Sequence, residues 1–154
     1  MDNYLKHYNY KIRSFEEVYN LSLILAHHFP EPDHFFTAIY ELIFNAVEHG
    51  NLEIGFENKT KLLRQGLWEQ EVLRRFSMPE YREKEVAVKL NANDNEFYLT
   101  IADQGKGFPW KEFLGRKVDR TLPNGRGLWI ASSAKFDQIT FNTEGNEVTC
   151  MMRQ

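Results

Sequence analysis

The 154-residue chain has one cysteine, Cys150. A lone thiol can close no intrachain disulfide and build no thiolate metal site. Within an apolar run it reads as a small core residue. Long apolar runs are missing as well, so no segment is expected to span a bilayer. The amino terminus has no basic stretch leading into an apolar core, so no secretory signal is expected and the cytoplasm is the expected location. Basic charge is not in excess: the formal net charge is −3, and basic residues cluster only in short runs near 59–64, 74–75 and 116–126. Neither nucleic acid nor membrane is therefore an expected partner. Internal repeats and low-complexity tracts are also missing. What remains is 42% hydrophobic with twelve Phe and seven Tyr, the composition of a folded chain that fits a single domain over 1–154.

In chain order, residues 8–13 alternate weakly and predict a first strand. Ser14 with Glu17 three positions later predicts a capping box, opening a helix to about His28 that Pro30 and Pro32 end. Asp33 is expected to cap a second helix, with Gly50 terminating it. Residues 59–76 predict another helix, built on Leu62, Leu63, Leu67, Val72, Leu73 and Phe76, with Gly66 as its weak point. Val86, Val88 and Leu90 face Phe97, Leu99 and Ile101 across a turn at 91–95, a hairpin. A short apolar helix over 128–134 and two strands near 137–142 and 147–152 complete the chain. His27, His28 and His34 are close in sequence but lack ligand spacing, and read as polar residues at helix ends.

Three segments carry chemistry. On the second helix, Glu41, Asn45 and Glu48 fall on one stripe, while Phe35, Ile39, Leu42, Ile43 and Ala46 fall on the other. A carboxamide can orient a metal-bound phosphate, and a carboxylate four residues away can accept a proton. The same stripe also fits an ordinary amphipathic helix whose polar side faces water. The second hairpin strand empties into Asp103, followed by Gly105 and Gly107. An ionised carboxylate there suits an exocyclic amine such as that of adenine, and the glycines let backbone approach a flat ligand. A plain glycine-rich turn is the alternative. Gly125, Arg126, Gly127 and Leu128 open the short helix, where free backbone amides and the helix dipole favour phosphate.

Taken in order, an Asn-bearing helix, a hairpin ending in Asp-x-Gly-x-Gly and a Gly-x-Gly-Leu helix start resemble the GHKL ATP-binding proteins. That family includes gyrase-type ATPases and the catalytic domains of histidine kinases. Residues 41–50 look like its N-box, 103–107 like its G1 box and 125–128 like its G2 box. The form Glu-x-x-x-Asn-Ala-x-x-His-Gly most resembles the anti-sigma-factor serine/threonine kinases of bacterial partner switching. The resemblance implies a two-layer α+β sandwich, with a mixed, mostly antiparallel sheet and helices on one face. It implies Mg-ATP as ligand, with Asn45 coordinating Mg²⁺, Glu41 as general base and Asp103 on the adenine amine. Gly105 and Gly107 would permit close approach, residues 108–124 would form a lid, and Gly125, Arg126, Gly127 and Leu128 would meet phosphate. Arg116, Lys117, Arg120 and Arg126 are candidates for charge compensation. Glu48 stands where histidine kinases usually carry Lys, which fits the serine-kinase branch. No phosphoacceptor helix pair precedes the N-box, so an intact histidine kinase is not expected.

The implied partners are a STAS-type anti-anti-sigma protein, a sigma factor, and a second copy of the chain in a homodimer. The alternatives are a nucleotide-gated binding module without catalysis, or the ATP-binding domain of a larger signalling protein. Residues 53–82 exceed the few that join N-box and hairpin in this family and read as a helical insertion. Trp68 beside Arg74 and Arg75 has the composition of an interface anchor, so the insertion is expected to lie beside the nucleotide site and aid partner binding or self-association. Simple packing on the domain is the alternative.

Overall fold

A computed structural model describes residues 6–113 and 136–154. The elements are β1 (Lys6–Ile12), α1 (Phe15–Ala26) and α2 (Pro32–Asn45), a π-helical turn (Ala46–Asn51), then α3 (Phe56–Gln65) and α4 (Trp68–Ser77). After them come β2 (Val86–Ala92), β3 (Glu96–Ala102), the short α5 (Trp110–Phe113), β4 (Gln138–Phe141) and β5 (Glu147–Arg153). The strands form one sheet in the order β1-β2-β3-β5-β4. Every described pair is antiparallel, so the expected mixed sheet is corrected to an antiparallel one.

Period-two alternation fixes which face is buried. Val86, Val88 and Leu90 pair with or flank Ile101, Leu99 and Phe97, and Val148, Cys150 and Met152 continue the same face on β5. That face shares one core with Val18, Leu21 and Leu25 of α1 and Phe35, Ile39, Leu42 and Ile43 of α2. The result is two layers, α on β. Each of these large apolar side chains contributes about 1.5–3 kcal/mol by leaving water. Cys150 lies in this core, and burial pushes its thiol up to about 12, as suits an inert packing residue.

Local chemistry sets most boundaries. Ser14 accepts the Glu17 amide while Glu17 Oε1 takes the Ser14 amide, the reciprocal capping box. The α1 helix ends at Ala26, ahead of Pro30 and Pro32. Asp33 is not the cap of α2: Glu31 holds that position, Pro32 begins the helix and Asp33 lies in its first turn, where a proline ring and a carboxylate are both favoured. Gly50 does not end the helix either, because the chain widens into the π turn after Asn45 and Gly50 lies within it. The single helix expected over 59–76 is two. Gly66 adopts φ 68 as the left-handed cap of α3, a conformation that favours glycine, and α4 starts two residues later.

The helix expected over 128–134 lies outside the described residues, as does 114–124 of the expected lid. None of the described helices is long and apolar enough to cross a membrane.

Candidate functional site

β3 is the middle strand, so the residue after it leaves from the centre of the sheet. That residue is Asp103. Its loop is held from two sides. On one side is the π turn: Asn51 Oδ1 accepts the Gln104 amide at 2.7 Å. A Cβ added to Gly50 would fall within 2.6 Å of both Asp103 carboxylate oxygens, and one added to Gly105 would collide with the Gly50 carbonyl. On the other side is the β4–β5 turn. The Asp103 amide donates to the Asn146 carbonyl at 2.9 Å, and Asn146 Nδ2 donates to the Gly105 carbonyl at 3.3 Å. Gly107 has φ 85 and a Cβ there would overlap the Glu144 carbonyl. Gly50, Gly105 and Gly107 are therefore glycine because neighbouring backbone or carboxylate fills the space a side chain would take.

This interlock brings the end of the Glu41–Asn45 helix onto the Asp103 loop. The Asp103 carboxylate accepts the Gly105 amide through Oδ1 at 2.8 Å, and Oδ2 has no hydrogen bond among the described residues. Burial is the main influence on this carboxyl and pushes it up to about 6, so it is largely ionised at neutral pH, an acceptor without a donor of its own.

Upstream on the helix, Asn45 is partly exposed, and its carboxamide has no hydrogen bond among the described residues. Glu41 is also partly exposed. Burial raises its carboxyl above the ordinary range, the charge of Lys59 works against that, and Glu48 adds to it. The described residues contain no group of three His, Cys, Asp or Glu side chains able to hold a metal. The Asn45 carboxamide oxygen is a hard, neutral donor of the kind Mg²⁺ accepts, since that ion is commonly held by few protein ligands.

Glu48 is not on a solvated stripe. It is fully buried. Lys59 Nζ lies 2.6 Å from Oε1, Trp68 Nε1 donates to Oε2 at 2.5 Å, and His49 Nε2 is 3.3 Å from Oε1. Glu48 lies within the π turn, and its partners Lys59 and Trp68 belong to the α3–α4 pair, which covers it.

Trp68 is consequently not a free interface anchor. Its ring packs against Phe15 and Phe44, with centroids at 5.6 and 6.1 Å, and its N–H is spent on Glu48. Arg75 bonds Glu71 and the Leu52 carbonyl, while Arg74 bonds Glu71. The insertion packs on the domain.

Sequence reasoning missed Asn51, Asn142 and Asn146. Asn142 Oδ1 accepts the amides of Gly145, Asn146 and Glu147 at 2.8, 3.0 and 3.2 Å. An Asn three residues before a turn glycine is a readable signal of this kind. Gly125, Arg126, Gly127 and Leu128, with Arg116, Lys117 and Arg120, lie outside the described residues. No protein-family model matches the chain, and no curated protein matches it.

Proposed function

We propose that this chain is a Mg-ATP-binding domain of the GHKL type and acts as a serine/threonine-protein kinase of the anti-sigma kind. The observation that carries the reading is the interlock of Gly50, Asp103 and Gly105, which joins two motifs 53 residues apart in sequence (103 minus 50) around one partly exposed carboxylate. Two-layer α-on-β architecture with an antiparallel sheet supports the Bergerat-type fold that such domains share.

In this reading Asp103 accepts the adenine amine, with Gly105 and Gly107 leaving room for the ring. Asn45 would hold Mg²⁺, and the ion when bound would neutralise phosphate charge. Glu41 takes the proton of a Ser or Thr hydroxyl as its oxygen bonds the γ-phosphorus and the bond to ADP breaks. Burial raises its carboxyl above the ordinary carboxylate range, which makes the ionised form more basic, as a proton acceptor requires. Gly125, Arg126, Gly127 and Leu128, outside the described residues, are the positions the family resemblance assigns to phosphate. The substrate is a STAS-type anti-anti-sigma protein, the second partner a sigma factor, the assembly a homodimer and the compartment the cytoplasm.

Calorimetry with Mg-ATP tests the pocket. Asn45→Ala and Asp103→Asn should each weaken binding at least tenfold, about 1.4 kcal/mol, and wild-type affinity in both removes the assignment. Glu41→Gln should keep ATP affinity and lose phosphoryl transfer to the STAS protein by about 10²–10⁴-fold. ATP binding with no transfer in the wild type would instead identify a nucleotide-gated binding module.

A further inference from the structure

The end of the sandwich away from Asp103 holds a cavity of about 410 Å³, a size at which small molecules are bound. Strand register builds its floor. Lys6 pairs with Ala92 and Ala92 with Phe97, one row across β1, β2 and β3. Ala92 and Phe97 are buried on the core face, and Lys6 shares the parity of Tyr8, Tyr10 and Ile12, the side of β1 that packs on the core. The small Ala92 side chain between two long ones leaves the space open. Phe97 and Asp103 are six residues apart (103 minus 97), about 20 Å at the rise of an extended chain, so the cavity is separate from the Asp103 site.

The link between α1 and α2 supplies the facing wall. Phe29 is buried and stacks on Phe97 with centroids 5.1 Å apart, and the His28 ring lies 4.4 Å from the Tyr8 ring. Burial, with the charge of Lys6 adding to it, holds the His28 imidazole below its ordinary range, so at neutral pH it is an uncharged hydrogen-bonding group. The lining carries charge of both signs. Lys6 comes from the end of β1 and Asp94 from the β2–β3 turn. That turn is fixed by Asn93 Oδ1, which accepts the amides of Asn95 and Glu96 at 2.8 Å each. Neither Lys6 nor Asp94 forms an ion pair or hydrogen bond among the described residues, and the His28 ring forms no hydrogen bond there.

We propose that this cavity binds a free α-amino acid with an apolar or aromatic side chain. The side chain lies against Phe29, Leu90 and Phe97, the carboxylate meets Lys6 and His28, and the ammonium meets Asp94. A simple carboxylic acid would bring its anion to a mouth that also holds Asp94, and a simple amine would bring its cation to one that also holds Lys6. A zwitterion satisfies both charges, and that difference sets the specificity. The site uses none of Glu41, Asn45 and Asp103, so it stands apart from the nucleotide reading.

Phenylalanine is the probe, in calorimetry and in amide-resolved NMR titration of the nucleotide-free protein. It should bind with a dissociation constant of about 1 mM or tighter, moving amides at 28–30 and 90–97 and leaving 103–105 in place. Hydrocinnamate, which lacks the ammonium, and phenethylamine, which lacks the carboxylate, should each bind about threefold or more weakly, the scale of a solvent-exposed ion pair. Alanine, which lacks the ring, should bind about tenfold or more weakly. Lys6→Gln should remove the preference for phenylalanine over phenethylamine, and Asp94→Asn the preference over hydrocinnamate. Both side chains are exposed, so both variants should fold, as an unchanged thermal melt would show. Amides unmoved at about 10 mM phenylalanine, or moved only at 103–105, overturn the proposal. So does either single-charge analogue binding the wild type as tightly as phenylalanine.

Discussion

Trp68→Phe isolates one hydrogen bond at the junction of insertion and domain. Phenylalanine keeps a ring against Phe15 and Phe44 but removes the N–H that Trp68 donates to Glu48 Oε2. Glu48 is fully buried, so water cannot replace the donor, and Oε1 is already occupied by Lys59. Losing a hydrogen bond to a buried charge costs about 1.5–3 kcal/mol, and the smaller ring adds roughly 1 kcal/mol. Against a domain stability of about 5–15 kcal/mol, the loss is large but survivable. In urea unfolding followed by far-ultraviolet circular dichroism, the midpoint should fall on the order of 1 M with an unchanged slope. Trp68→Ala should cost more, since it also removes the ring that packs against Phe15 and Phe44. A Trp68→Phe variant within about 0.5 kcal/mol of wild type, or one that changes only self-association, would show that the indole–carboxylate bond does not hold the insertion.

Two further outcomes follow from the loop geometry. Gly105→Ala places a methyl on the Gly50 carbonyl and within 3.0 Å of Asp103 Oδ1, so it should separate the π turn from the Asp103 loop. ATP affinity should drop more than tenfold, with a stability loss of about 1–3 kcal/mol; wild-type affinity by calorimetry would contradict the interlock. The Asp103 carboxyl is raised by burial from 3.8 to about 6, so the folded state holds its proton where the unfolded chain has released it. The stability this contributes is fully present below about pH 4 and is lost as pH rises through about 6. Denaturation of wild type and Asp103→Asn at pH 4 and pH 7 should therefore show the variant gaining on wild type by on the order of 1–2 kcal/mol, after allowance for solvent screening. A pH-independent difference refutes the burial of that charge.

Patterns local in the chain were legible without the fold. The Ser14–Glu17 capping box needs only four consecutive residues, and β2 and β3 announce their buried faces by alternation over seven. Asp103, Gly105 and Gly107 could be singled out because a strand running into Asp-x-Gly-x-Gly constrains backbone within five residues. The reason those positions are glycine could not be read there, since the obstructing atoms belong to Gly50, Asp103 and Glu144.

Tertiary structure decided the rest. Regular helical spacing puts Glu48 on a stripe with Glu41 and Asn45 that could face water, but in the structure it lies in the π turn after Asn45 and is buried under Lys59 and Trp68. Periodicity shows nothing of this, because the groups that cover Glu48 come from α3 and α4, whose Val72 packs with Leu52 and Ile54 in a second, smaller core. Composition made Trp68 look like an anchor for another molecule. Its partner is a carboxylate 20 residues back in its own chain. An amphipathic side chain advertises a need for a partly apolar, partly polar surface; whether that surface belongs to the same chain is settled only when the chain closes on itself.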